Sequence, residues 1–263
     1  MTKKTKGIAA IVAFLVVSIA AATFLLNDNS SKPTVAVTQS VEAPNQHASH
    51  DHSEEKQPST SQATTQPYSP LLFSAGKDYR ELPVPVQTDA TTEQVEVVSV
   101  FWYGCPHCYA LEPQLDRWKP TLPGDAKFIR TPGFFSPNLW QTHARLYYTV
   151  RSMGIEDKVH AGIFNEIQNS RNLLGDDDAM AEFLNREYGI EESAFTEAYK
   201  SFGVNNQLQQ AFSKLKGYNL SGVPAIIIDG RYVVEPGLAG SLSNMPVIAD
   251  FLIRKVKQDR KSS

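Results

Sequence analysis

Cysteine is nearly absent from this chain: among 263 residues there are two, Cys105 and Cys108. Two cysteines cannot build a structural disulfide framework, and a bridge across a C-x-x-C spacing closes too short a loop to stabilise much through chain entropy. The pair is therefore suited to chemistry. An excess of one charge is also missing. With 25 Lys and Arg against 28 Asp and Glu, the formal net charge is −3. No broad basic field results, and nucleic acid is not an expected partner. Large apolar residues, in turn, are almost missing from Asn27 to about Pro70, a stretch rich in Ser, Thr, Gln, Pro and Ala. Such a stretch cannot bury enough surface to offset its ordering entropy and reads as a flexible linker over residues 27–70.

Within that linker, His47-Ala-Ser-His50-Asp-His52 gathers three imidazoles and a carboxylate. Imidazole suits Zn, Cu and Ni, but nothing here preorganises the ligands or supports them from behind, so the cluster reads as solvated linker and no metal site is expected. Ahead of the linker, Lys3, Lys4 and Lys6 precede an uncharged run from Gly7 to Leu26. Residues 1–26 read as a signal anchor or a signal peptide. The length of the run suits a retained anchor over residues 7–26, whereas Ala20-Ala21-Ala22 offers a cleavage site. Either outcome places the rest of the chain in an exported, disulfide-permissive compartment.

The folded part is expected to begin near Leu71-Leu72-Phe73. Tyr79 to Gln87 alternates apolar and polar residues and carries prolines, which suits an edge strand. Val95 to Phe101 reads as a more central strand, and Ala126 to Arg130 as a third that closes a β-α-β unit with the intervening helix, in which Pro113 should produce a kink. Residues 71–136 thus form a first half. Residues 137–217 switch to helical periodicity: Leu139 to Met153, Glu156 to Ile167, a helix capped by Asp176, then Glu191 to Phe202 and Asn205 to Gly217, with breaks at Gly154 and Gly189. Strands return in residues 218–263, where Ala225 to Ile228 and Arg231 to Val234 flank the hairpin signal Asp229-Gly230 and an amphipathic helix follows from Pro246 to Val256.

The chemistry is expected at Trp102-Tyr-Gly-Cys105-Pro106-His107-Cys108-Tyr109, between the strand ending at Phe101 and a helical run. A zinc site would need two further ligands and there is no other cysteine, while haem attachment would need His where Tyr109 stands. A redox dithiol is the reading left, set against two inert thiols. Cys105 at a helix N-terminus meets unpaired N–H groups and the positive end of the helix dipole, both favouring thiolate. His107 adds a donor or a positive charge, and Pro106 fixes φ for the first turn. A stabilised Cys105 thiolate makes the disulfide a stronger oxidant, so the site should give disulfides away.

Phe101 to Tyr109 together with Gly222-Val-Pro-Ala225 resembles the paired signatures of the DsbA family of thioredoxin-fold oxidoreductases. The similarity covers about residues 73 to 258 and includes Gly154-Ile-Glu-Asp-Lys-Val159. The resemblance implies an α/β thioredoxin fold with an inserted all-helical subdomain, a cis Val223–Pro224 bond, and Val223 presenting backbone groups to an extended substrate peptide by strand addition. It also implies a periplasmic enzyme without a cofactor, acting on reduced substrate proteins and reoxidised by a DsbB-type membrane partner. One departure stands out. The family often carries a buried acid six residues before the first cysteine, where this chain has Ser99. Glu96 cannot replace it, because three residues along a strand reverses the face. Glu112, four residues after Cys108 on the helix, could exchange protons with it; the alternative is a solvated carboxylate.

Three functions follow. The first is a protein disulfide oxidase donating the Cys105–Cys108 disulfide. The second is a disulfide isomerase or a dual oxidase and isomerase, working as a homodimer through the N-terminal extension. The third is a tethered binding module that does not use the thiols.

Overall fold

The computed structural model describes residues 73–262. The export segment, the linker with His47, His50 and His52, and Leu71 and Leu72 lie outside the described residues. Five strands form one mixed sheet: β1 (Arg80–Glu81), β2 (Val95–Phe101), β3 (Ala126–Pro132), β4 (Ala225–Ile228) and β5 (Tyr232–Val234). Their spatial order is β1, β5, β4, β2, β3. β2 runs parallel to β3 and antiparallel to β4. Helix α1 (Pro106–Trp118) makes the crossover from β2 to β3, with Pro113 in its interior.

Between β3 and β4 the chain is helical: α2 (Leu139–Ser152), α3 (Glu156–Gln168), α4 (Asp177–Tyr188), α5 (Glu192–Tyr199) and α6 (Phe202–Tyr218). Asp176 caps α4 by accepting the Ala179 N–H, and Gly189 ends it in the left-handed conformation, φ 66°. After β5 come a single turn, α7 (Pro236–Ala239), and the closing helix α8 (Asn244–Lys261).

Every residue of β2 is buried, because both faces of the sheet are covered. Val95 and Val97 pack with Ile226, Ile228, Tyr232 and Val234 against Leu111 and Leu115 of α1 and Leu252 and Val256 of α8. Val98 and Val100, with Ile227 and Val233, face the helical insert. The period-two alternation of an apolar strand thus builds two cores, one per face.

Several elements differ from the sequence reading. The edge strand expected over Tyr79 to Gln87 pairs regularly for only two residues; beyond them the contact continues through Leu82 N–H to Arg231 O and Val86 N–H to Gly230 O, a spacing the prolines interrupt. Arg231 belongs to the turn rather than to the strand, since Ile228 pairs with Tyr232 while Asp229 and Gly230 take φ values of 55° and 61°. Phe202 opens α6 instead of ending α5, because Ser201 caps the helix by accepting the Val204 N–H. α7 has no signature beyond Pro236, and α8 extends past both ends of the expected run.

Candidate active site

β2 ends at Phe101, and Trp102, Tyr103 and Gly104 carry the chain round to Cys105, the N-cap of α1. Here a thiol does what Ser or Asp does at most helix starts: Cys105 Sγ accepts the backbone N–H of Cys108 at 3.3 Å. Pro106 takes the first helical position, where a missing N–H costs nothing. Cys105 is 8% exposed and Cys108 1%, both as free thiols, so only the first sulfur is open to a partner. Pro106 and His107 are exposed beside it.

The two thiols are driven apart. A hydrogen bond from the Cys108 side chain is the leading reason that Cys105 falls from 9.0 to about 6; against the opposing effect of burial, the N–H groups of Cys108 and His107 and the charge of His107 lower it further. Burial pushes Cys108 far above the ordinary thiol range, and the hydrogen bond and charge of Cys105 add to that. At neutral pH the pair therefore carries one proton, held on Cys108. The helix terminus and His107 contribute as the sequence suggested, but the partner cysteine contributes more.

Two other segments close around Cys105. The Val223–Pro224 peptide is cis, and the Val223 carbonyl lies 3.6 Å from Cys105 Sγ. Gly133, just past β3, donates its N–H to Phe101 O at 2.7 Å. A Cβ on Gly133 would sit 2.8 Å from Val223 Cγ1, so a side chain there would push the Val223 loop away from the sulfur. On the flank, Trp102 stacks on Trp140 of α2 with centroids 4.2 Å apart and an 8° tilt, and exposed Phe135 leans on Trp140. Gly104 leaves no room for a Cβ, which would run into the Trp102 ring. We expect Gly104→Ala to unstack Trp102 from Trp140 and lower stability by about 1–3 kcal/mol, read from tryptophan fluorescence and denaturant unfolding.

Behind the cysteines lies a buried polar network. Glu112 is 8% exposed, which removes the reading of it as a solvated carboxylate. Its Oε2 accepts from Arg130 Nη2 at 3.0 Å and Arg130 Nε at 3.3 Å, and His160 Nε2 lies 3.4 Å away. Tyr103 OH and His160 Nδ1 are 2.9 Å apart. Arg130 also reaches Asp116 at 3.1 Å. Burial raises the Glu112 carboxyl, but His160 and then Arg130 pull it below its ordinary value. Ser99 is buried with its hydroxyl unpartnered among the described residues, and Glu96 does not stand in for it. Glu96 accepts the Asp89 N–H at 2.6 Å and lines a groove of about 580 Å³ with Lys214 and Tyr218 of α6. No residue of the cysteine turn lines that groove. Of the two sulfurs, that of Cys105 keeps the residual exposure, 8% against 1% for Cys108.

Sequence reasoning placed Arg130 in a strand without a role and missed His160, Gly133 and Trp140. Only Arg130, a charged residue at the end of a predicted strand, left a signal to follow.

The geometry has counterparts among known proteins. The family model of the DsbA-like thioredoxin domain matches residues 96–243. The thiol:disulfide interchange protein DsbA of Azotobacter vinelandii is 41% identical over 187 residues, which are 71% of this chain and 86% of that protein. This chain belongs to the DsbA-like thioredoxin family. The crystal structure of Pseudomonas aeruginosa DsbA is 36% identical, covering 72% of this chain and 97% of that one with a TM-score of 0.68. The oxidoreductase DsbA from Xylella fastidiosa, at 25% identity, covers 71% and 99% with a TM-score of 0.66. The fold is therefore the thioredoxin fold with an inserted helical subdomain, and the chain is a thiol:disulfide oxidoreductase of the DsbA family.

Proposed function

We propose that this DsbA-family chain is an exported disulfide donor, an oxidase for proteins entering the periplasm. The observation that carries the reading is the asymmetry of the pair: an accessible Cys105 whose thiolate is stabilised to about 6, against a buried Cys108 that keeps its proton. A substrate thiolate attacks Cys105 Sγ of the Cys105–Cys108 disulfide. The intramolecular S–S bond breaks, and Cys108 leaves with the electron pair and takes a proton. A second substrate thiolate then attacks the substrate sulfur of the mixed disulfide and expels Cys105 as a stable thiolate. Leaving-group stability favours release of the oxidised substrate and supports donation of disulfides. Pro106 and His107 set the helix mouth, while Val223, beside the sulfur and ahead of Pro224, offers backbone groups to an extended peptide.

Reoxidation falls to a DsbB-type membrane partner. Residues 1–26 direct export, either as an inner-membrane anchor over 7–26 or as a cleaved signal peptide, and residues 27–70 link them to the catalytic part. Thiol trapping of Cys105 and Cys108 in the living cell tests the proposal: a mostly oxidised pair is expected, and a mostly reduced pair overturns it in favour of an isomerase.

Reversal of the first step during reoxidation requires Cys108 to lose its proton, and Glu112, one helical turn along, is the proposed acceptor. Glu112→Gln should slow closure of the Cys105–Cys108 disulfide by about 10- to 100-fold below pH 7. Stopped-flow fluorescence across pH 5–9 reads this out. An unchanged pH profile would remove Glu112 from the mechanism.

A further inference from the structure

The helical insert reaches the catalytic turn through α3. Gln168 Nε2 donates to Tyr103 O at 2.7 Å, and His160 stands between the Tyr103 hydroxyl and the Glu112 carboxylate. His160 is 5% exposed, and its ring packs edge-on against Phe101 and Phe164. A buried imidazole with two polar neighbours has its tautomer decided by them. Burial holds Tyr103 OH protonated, well above its ordinary value, so the hydroxyl is able to donate to Nδ1, in the tautomer that places the ring proton on Nε2. That proton faces Glu112 Oε2. The separation is 3.4 Å, and Nε2 has no aligned hydrogen-bond partner among the described residues.

We propose that His160 is a positioning residue for Cys108: it holds Glu112 ionised and aimed, ready to take the Cys108 proton when Cys108 attacks a mixed disulfide at Cys105. The inference rests on the reading of Glu112 as proton acceptor given above. In the step itself the Cys108 S–H bond breaks and the proton passes to a Glu112 oxygen. The Cys108 sulfur attacks Cys105 Sγ, the Cys105–Cys108 bond forms, and the partner's sulfur leaves with the electron pair. Two electrons have then passed from the cysteine pair to the partner disulfide.

The charged and titratable groups around Glu112 come from five directions. Cys108 and Asp116 lie on its own helix, Arg130 on β3, Tyr103 on the cysteine turn, His160 on α3, and Tyr147 of α2 bonds both Arg130 O and Glu156. Arg130 divides its guanidinium between Glu112 and Asp116, which leaves His160 as the neighbour committed to Glu112 from the insert. Its contact is the first of those that lower the Glu112 carboxyl. Without it, Glu112 retains a proton to higher pH and cannot accept another.

The test uses the reduced protein with oxidised glutathione, following decay of the Cys105–glutathione adduct by acid quench and mass spectrometry from pH 4.5 to 9. His160→Leu is expected to move the acid limb of adduct decay upward by about one pH unit, which slows decay by up to about tenfold on that limb and leaves it unchanged above pH 7. His160→Gln, which keeps an N–H near the Nε2 position, should stay within about threefold of the parent. His160→Asn, too short to reach, should behave like His160→Leu and serves if leucine prevents folding. The Cys105 titration, followed by thiolate absorbance, should stay in place in all of them. A limb that moves in Glu112→Gln but not in His160→Leu or His160→Asn overturns this inference alone. A limb unmoved in Glu112→Gln overturns the reading of Glu112 on which it rests.

Discussion

Cys105→Ser will abolish thiol oxidation, a fall of at least about 10³-fold in the rate at which a reduced substrate protein gains its disulfide. The size of the loss follows from the unequal surroundings of the two sulfurs. Cys108, 1% exposed, cannot meet an incoming thiolate, and its own pKa lies far above the ordinary range. No second nucleophile can take over, because Cys105 and Cys108 are the only cysteines in the chain. Cys108→Ala should behave differently. Cys105 still reacts with disulfides but nothing resolves the product, so a covalent adduct accumulates and can be counted by mass. A Cys105→Ser protein with measurable oxidase turnover would overturn the assignment of the nucleophile.

Lowering pH should erase the stability advantage of the reduced protein. Cys105 titrates near 6 when folded against an ordinary 9.0. A group whose folded pKa is depressed contributes stability that is complete above its unfolded pKa and is lost as pH falls through the folded value. The window is thus about pH 9 down to about 6. Linkage gives about 1.5 kcal/mol at pH 7 and about 4 kcal/mol above pH 9 as an upper limit. The oxidised protein has no thiolate to stabilise and should lack this dependence. Paired denaturant unfolding of the reduced and oxidised forms at pH 5, 7 and 9 measures it. A stability gap between the two forms that does not shrink toward pH 5 would contradict the stabilised thiolate.

Much of this was legible in the amino-acid sequence. Strand β2 spans the seven residues that apolar β-branched content predicted, and Asp176, Gly154 and Gly189 mark their helix boundaries by capping chemistry that is local in sequence. The site was legible where it is local: Cys105, Pro106 and Cys108 lie within one helical turn, so the cap geometry follows from spacing. What could not be read depends on tertiary placement. Glu112 is exposed or buried according to whether Arg130 and His160 arrive, from a strand and from the insert, and nothing near Glu112 announces either. Gly133 matters only because Val223 approaches it. Arg231 left its strand because the turn took three residues between paired positions instead of two.

The contact between Cys105 and Val223 spans 118 residues, whereas the backbone N–H that holds the sulfur is three residues away. During synthesis at about 5–20 residues per second, the cysteine turn emerges roughly ten seconds before the segment that faces it. In a newborn chain the helix mouth that lowers the Cys105 thiol can form while the Val223 segment that comes to face the sulfur has yet to be made.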